Sequence, residues 1–199
     1  KWDSYIEKQS GPTNQKEPSY AHAIGAVYRN ADPTDIVVTA AGGLVGETVQ
    51  IWKPKQINTF ETEWGFSCMG YEISGALGIK MAKPDQDVVV FVGDGSYLLA
   101  NSDIYSSVIY DQKLIIIVCD NGGHMVINRL QLDKGGKEYI CNLRAARATN
   151  LQFVDFAAHA KSMGAESEAV SSTSELEAAF LRAKKSKKTY VISIKTHGY

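Results

Sequence analysis

The apolar run VVVFV (residues 88–92) passes directly into Gly93-Asp94-Gly95-Ser96. Glycines permit a tight turn and let a ligand approach the backbone closely. Asp94 then presents anionic oxygens at the carboxyl end of a strand. Ser96 and the amides after it hold phosphate oxygens where a helix begins there. Taken alone, GDGS reads either as a metal–phosphate site or as a strand-ending turn with a solvated aspartate. A second run shifts that balance. LIIIV (residues 114–118) ends at Cys119-Asp120-Asn121-Gly122-Gly123, so Asp94 and Asn121 stand 27 positions apart. That interval holds one helix and one returning strand, which places both side chains at one edge of adjacent parallel strands. Two side-chain oxygens with an exposed carbonyl from the glycine loop suit Mg²⁺, with diphosphate oxygens and water completing six ligands. A single carboxylate leaves positive charge on the cation for the phosphates. Asp120 competes for ligation, but strand parity turns it the other way. Gly42-Gly43-Leu44-Val45-Gly46 follows a further apolar run, residues 36–40. It is either a simple connecting turn or a set of amides reaching the same diphosphate. GxGxxG after the first strand and GxxxxGK[ST] are both missing.

The elements that must position these residues alternate. Strands are predicted at 36–40, 88–92, 114–118 and 190–194, all rich in β-branched residues and mostly apolar. Such runs suit strands buried on both faces, as in a parallel sheet under helices. A weaker strand is predicted at 165–170. Helices are predicted at 19–29, 68–83, 102–110, 153–163 and 174–184, and a short one through Ser10 with Trp2, Tyr5 and Ile6 on one side. Ser172-Thr173-Ser174 ahead of Glu175 and Glu177 marks a helix start. The order is βαβ, which places ligands at the carboxyl ends of the strands. Residues 122–150 hold no clear strand and read as a long, locally basic binding loop or lid, with a turn at Gly135-Gly136.

Composition narrows the class. The 199 residues suffice for one substantial core and are few for two full-sized domains. Lys+Arg is 21 against 22 Asp+Glu, which excludes a broadly basic nucleic-acid binder. Three cysteines without a CxxC indicate neither a disulfide scaffold nor a Cys-rich zinc site. Cys68, Cys119 and Cys141 lack an activating constellation and read as reduced, structural thiols, which fits a cytoplasmic location. No apolar run reaches bilayer-spanning length. The chain opens on KWDSYIEKQS, with neither methionine nor the regions of a signal peptide, and is expected to be a piece of a longer enzyme. Residues 1–18, ending in GPTNQKEP, are expected as an N-terminal segment and linker, and 19–199 as the folded domain.

GDGSYLLANSDIYSSVIYDQKLIIIVCDN resembles the motif of thiamine-diphosphate-dependent enzymes, a GDG followed at a set interval by asparagine. The resemblance covers nearly the whole chain and points to the pyrophosphate-binding domain of enzymes similar to acetolactate synthase. It implies a three-layer αβα fold on a mostly parallel, doubly wound sheet. It implies Asp94 and Asn121 as side-chain ligands to Mg²⁺ and Gly123 as the carbonyl ligand. Gly93, Gly95 and Ser96 would contact the cofactor's diphosphate end, and Gly42, Gly43 and Leu44 would lend backbone amides. Met69, 25 residues before Asp94, would prop the cofactor in its bent form, although helical periodicity alone would put it in the core. The backbone at Cys68 would lie by the aminopyrimidine, and His124 and Met125 would complete the contacts.

The stretches AAGGLVGETVQIWKP, FETEWGFSCMGYEISGALG and CDNGGHMVINRLQ resemble a branch that hydrolyses the ring C–C bond of a small polyol-derived cyclic 1,2-diketone in inositol breakdown. A carboligase or decarboxylase of the same family is the neighbouring reading, and a noncatalytic Mg²⁺–phosphate-binding module a third. Two departures stand out. Many relatives have Gly-Gln-His where this chain has Gly42-Gly43-Leu44, and often Asn-Asn where it has Asp120-Asn121. The family's activating glutamate sits in a separate pyrimidine-binding domain, usually of a second subunit. It is not assigned to Glu47, Glu61, Glu63 or Glu72. A homodimer or homotetramer is therefore implied, and the isolated chain is expected to bind cofactor weakly and turn over little or nothing.

The remaining candidates stay open or structural. His124 either meets substrate as an acid–base group or plays a supporting or merely exposed role, and Asn128, Arg129 and Gln131 share that ambiguity. His22 and His159 are expected to be structural. The cluster at 184–188, with Arg182, is expected as a solvated helix end.

Overall fold

The computed structural model describes residues 1–197. The β-branched runs become the middle of a six-stranded sheet. Its strands are β1 (Ile36–Thr39), β2 (Phe60–Thr62), β3 (Val88–Gly93), β4 (Ile115–Asp120), β5 (Glu166–Val170) and β6 (Tyr190–Lys195). Every pairing is parallel, in the order β2-β1-β3-β4-β6-β5. The helices are α1 (Trp2–Ser10), α2 (Tyr20–Asn30), α3 (Gly42–Ile51), α4 (Tyr71–Ala82), α5 (Asp94–Leu99), α6 (Ser102–Ile109), α7 (Met125–Asp133), α8 (Phe156–Ser162) and α9 (Thr173–Lys185).

Successive strand residues point to opposite faces, and both faces are dry. Val89, Phe91, Ile115, Ile117 and Ile192 pack with residues of α2, α3 and α9. Val88, Val90, Val92, Ile116 and Val118 pack with residues of α4, α6 and α8. This is the three-layer αβα architecture expected. The chain goes from β1 outward to β2, then returns across β1 to β3. The winding thus reverses between β1 and β3, where open α/β sheets leave a crevice at their carboxyl ends. Gly93 pairs with Cys119 in the β3–β4 register, which sets Asp94 and Asn121 just past the same edge.

Local signals start several helices. Ser19 and His22 form a capping box at α2, and the Ser172 side chain accepts from the Glu175 N–H at α9. Other boundaries differ from expectation. Helix α4 begins at Tyr71 rather than residue 68, because Gly70 adopts φ +98°, a left-handed conformation that ends the loop and starts the helix. The Gly42-Gly43-Leu44 stretch opens helix α3 instead of forming a bare turn. The expected loop at 122–150 contains the helix α7. Strand β2 has three residues at the sheet edge, too few for a period to register. Of the apolar residues in α1, only Ile6 is buried. Its end packs closely enough on α2 that a Cβ at Gly25 would stand 1.9 Å from the Ser10 carbonyl oxygen.

The basic cluster at the end of α9 is a solvated helix end at Lys185, Lys187 and Lys188, but not at Lys184 or Arg182. Lys184 is 15% exposed, and its Nζ lies 2.6 Å from Asp35, 2.8 Å from Asp32 and 3.1 Å from Asp87. Arg182 makes a two-pronged contact with Glu168, at 3.0 and 2.6 Å. The cause is packing: α9 lies on the sheet, so its last turn sits over the amino edge of β1 and β3. Among the described residues, no helix is long and apolar enough to cross a membrane.

Candidate functional site

The crevice at the carboxyl ends of β1, β3 and β4 holds a cleft of about 360 Å³. Each strand feeds it differently. After β1 the chain turns at Ala41 into α3, so Gly42, Gly43 and Leu44 line one wall. After β3 there is no loop: Asp94 is already the first residue of α5, with Gly93, Gly95 and Ser96 beside it. After β4 a glycine turn brings Asn121, Gly123, His124 and Met125 to the opposite wall. Met69 reaches in from the loop before α4. It is 39% exposed and belongs to neither hydrophobic cluster, so helical periodicity alone misplaces it. Cys68 is the one cofactor-contact candidate that does not line the cleft. It is exposed, and its N–H donates to Glu63 at 2.8 Å.

Asp94 is buried, and the backbone N–H groups of Gly95 and Gly123 lie where they favour its charge. Burial, seconded by the negative charge of Asp120, nevertheless pushes its carboxyl up to about 6. A cation beside it would hold it ionised. Asp120 itself faces away, as strand parity implies. One oxygen accepts from the Gly122 N–H at 3.0 Å and the other pairs with Lys195 at 2.9 Å. It lines a separate pocket with Asp155 and Phe156. Asn121 donates through Nδ2 to the Tyr20 hydroxyl, while its Oδ1 is buried with no hydrogen-bond partner. Buried polar atoms are rarely left so, and an orphan oxygen beside a buried carboxylate is the donor set that a hard cation takes.

The glycine turn is built for close approach. Gly123 has φ +147°, and a Cβ there would lie 2.2 Å from the Cys141 carbonyl oxygen. Two bonds pin the turn to the following segment: His124 N–H to Cys141 C=O at 2.8 Å, and Leu143 N–H to Gly122 C=O at 2.9 Å. The Gly123 carbonyl takes part in neither. Across the cleft, a Cβ on Gly95 would stand 2.7 Å from the His124 ring and 3.3 Å from Met69 Cε. Among the described residues, no three His, Cys, Asp or Glu side chains converge into a metal cage.

Sequence reasoning missed several neighbours. Tyr20, Ser67, Val126, Ile127 and Leu130 also line the cleft. The last three share one face of α7, while Asn128, Arg129 and Gln131 fall outside it. Their i, i+3 and i+4 spacing was the available signal. Gln131 instead accepts from the Cys141 thiol at 3.6 Å. Glu72 is buried below the cleft, and its two oxygens accept from the N–H groups of Ala41 (3.2 Å) and Gly70 (2.8 Å). It ties the loop before α3 to the loop before α4. Glu47 is held up by burial, against the pull of Arg129, and does not line the cleft. His22 is engaged in its cap, and His159 bonds the Tyr97 hydroxyl at 2.9 Å. Burial pushes the Cys119 thiol well up, which makes it inert.

Residues 40–194 match the family described as the C-terminal TPP-binding domain of thiamine pyrophosphate enzymes, and the chain belongs to that family. It is 40% identical over 181 residues to a 3D-(3,5/4)-trihydroxycyclohexane-1,2-dione hydrolase of Halalkalibacterium halodurans, covering 91% of this chain and 28% of that protein. It is 38% identical over 181 residues to the Bacillus licheniformis protein of the same name, with the same coverages. The Lacticaseibacillus casei protein of that name is 38% identical over 202 residues, covering 98% of this chain and 30% of the relative. The chain thus spans under a third of these relatives' length. Its fold is shared with a thiamine diphosphate-dependent 4-hydroxybenzoylformate decarboxylase of Rhodococcus jostii, at TM-score 0.82 and 18% identity, over 94% of this chain and 34% of that one.

Proposed function

We propose that this chain is the cofactor-anchoring portion of a thiamine-diphosphate- and Mg²⁺-dependent hydrolase acting on a cyclic 1,2-diketone of the trihydroxycyclohexane-1,2-dione type. The observation that carries the proposal is the meeting of Asp94, the unpartnered Oδ1 of Asn121 and the Gly123 turn at one sheet edge. In this reading Asp94, Asn121 and the Gly123 carbonyl hold Mg²⁺. Gly95 and Ser96 contact the diphosphate, and Gly42, Gly43 and Leu44 offer amides from the start of α3. Met69 supports the bent cofactor, flanked by the backbone at Cys68, with Gly93, His124 and Met125 completing the walls. When bound, thiamine diphosphate supplies a nucleophilic carbon and an electron sink, and water completes the ring opening to an acid. The chain's own part is to anchor and orient; the cation, once held, would keep Asp94 ionised against its burial.

The activating glutamate is assigned to a pyrimidine-binding domain, contributed by a second subunit of a homodimer or homotetramer in the cytoplasm. Phe66 at 89% exposure and Trp64 at 59%, in the loop that ends at Met69, support such a cover. The chain alone is then expected to bind cofactor weakly and to turn over little. The test is product analysis on trihydroxycyclohexane-1,2-dione with the protein assembled with its pyrimidine-binding domain. The reading requires cofactor-dependent formation of the ring-opened acid. A coupled or decarboxylated product, or none in the assembled protein, would overturn it.

A further inference from the structure

An asparagine amide has two chemically different ends, and a cation can bind only the oxygen. Which end faces a metal site depends on what holds the nitrogen. In this chain the nitrogen is held from 101 residues away: Asn121 Nδ2 donates to the hydroxyl of Tyr20. Tyr20 is the first residue of α2, is 7% exposed, and lines the same cleft. Its position is set by the Ser19–His22 capping box, in which the Ser19 hydroxyl and His22 Nδ1 are 2.8 Å apart. With the nitrogen engaged there, Oδ1 is left buried and without a partner, in a residue that lines the cleft together with Asp94.

We infer that Tyr20 is a positioning residue for the cation site: it fixes the Asn121 amide so that its oxygen, not its nitrogen, is presented to Mg²⁺. The inference rests on the metal reading above and adds a residue outside the GDG–Asn motif. It also ties the start of α2 to the site. Residues 40–194, which match the family, do not include it.

Tyr20→Phe keeps the ring and removes only the hydroxyl that holds the Asn121 nitrogen. With thiamine diphosphate present and the protein assembled with its pyrimidine-binding domain, Mg²⁺ affinity should fall about 10–100-fold, as when the partner that orients a metal ligand is lost. In the metal-free protein, the Asn121 side-chain NH₂ signal in a ¹⁵N-labelled sample should move in this variant. Two further arms separate positioning from general loosening. The thermal midpoint of the metal-free variant should stay close to that of the unsubstituted protein. In an Asn121→Ala background, Tyr20→Phe should add less than about two-fold to the loss, because a residue acting only through another has nothing left to act on. Unchanged Mg²⁺ affinity, or losses that multiply in the double variant, would overturn the inference. If the unsubstituted protein shows no Mg²⁺ dependence, the metal reading itself falls and takes the inference with it, whatever the NH₂ signal does.

Discussion

Replacing Lys184 with methionine removes one cation from among three carboxylates at the amino edge of the sheet. The three do not suffer equally. Asp32 is 64% exposed and can turn to water, and Asp87 keeps Lys113 at 3.0 Å. Asp35 has a side chain 2% exposed and is left with the Asp32 N–H at 2.9 Å. Burial opposes the charge on Lys184, but the carboxylates of Asp32, Asp35 and Asp87 outweigh it and push the ammonium's pKa above its ordinary value. The site is therefore a paired buried charge, for which loss of one partner costs about 3–5 kcal/mol. For a domain of this size that corresponds to a thermal midpoint lower by roughly 6–20 °C. Denaturant unfolding followed by circular dichroism measures the difference directly. Asp35→Asn placed on Lys184→Met should recover part of the loss, because it removes the stranded charge. Thiamine diphosphate affinity of the assembled protein should stay within about two-fold, because the cluster lies at the edge of the sheet opposite the cleft. A destabilisation below about 1 kcal/mol, as an ordinary surface lysine gives, would refute the reasoning. So would a double variant less stable than Lys184→Met alone.

Other changes separate the cleft from the scaffold. Gly95→Ala puts a methyl 2.7 Å from the His124 ring and 3.3 Å from Met69 Cε, both side chains that can yield. Calorimetric titration should therefore show thiamine diphosphate affinity lower by about ten-fold or more, with a nearly unchanged unfolding midpoint. Glu72→Gln sets a donor against one of two backbone N–H groups, Ala41 or Gly70, and should cost about 1–3 kcal/mol in denaturant unfolding. Glu168 is held below its ordinary 4.5 chiefly by its bond to Arg182, helped by the Tyr190 hydroxyl and opposed by burial. Its stabilisation is thus present above pH 4.5 and lost as pH falls through the lowered value. Glu168→Gln should be less stable than the unsubstituted protein by up to about 1 kcal/mol at neutral pH, with the gap closing in acid unfolding series.

The sheet and the meeting of Asp94, Asn121 and the Gly123 turn at its edge are legible in the chain for a physical reason. Runs such as VVVFV and LIIIV are apolar at every position because both faces are buried, and each is followed within a few residues by side chains that line the cleft. What escaped lacked either length or a local cause. Strand β2 offers three residues, all partly exposed, with a partner on one side only. Helix α7 turns Ile127 and Leu130 to a cleft rather than to the core, so its apolar positions imitate a loop's scatter. Lys184 and Asp35 are 149 residues apart, and Tyr20 and Asn121 are 101 apart. Neither pair leaves a trace in local spacing, so Lys184 read as a solvated lysine and Tyr20 was not singled out. In the loop that Gly70 ends, Met69 lines the cleft while the Cys68 side chain is exposed and its N–H is held by Glu63, a local arrangement that residue spacing does not reveal.

The central claim is that Asp94, Asn121 and the Gly123 turn hold the cation that anchors the diphosphate. Titrating thiamine diphosphate with and without Mg²⁺, in the protein assembled with its pyrimidine-binding domain, tests it most directly. Asp94→Ala and Asn121→Ala should each lose the Mg²⁺-dependent part of binding. Asp120→Asn, altered on the side facing Lys195, should keep it. Undiminished Mg²⁺ dependence in both alanine variants would contradict the account.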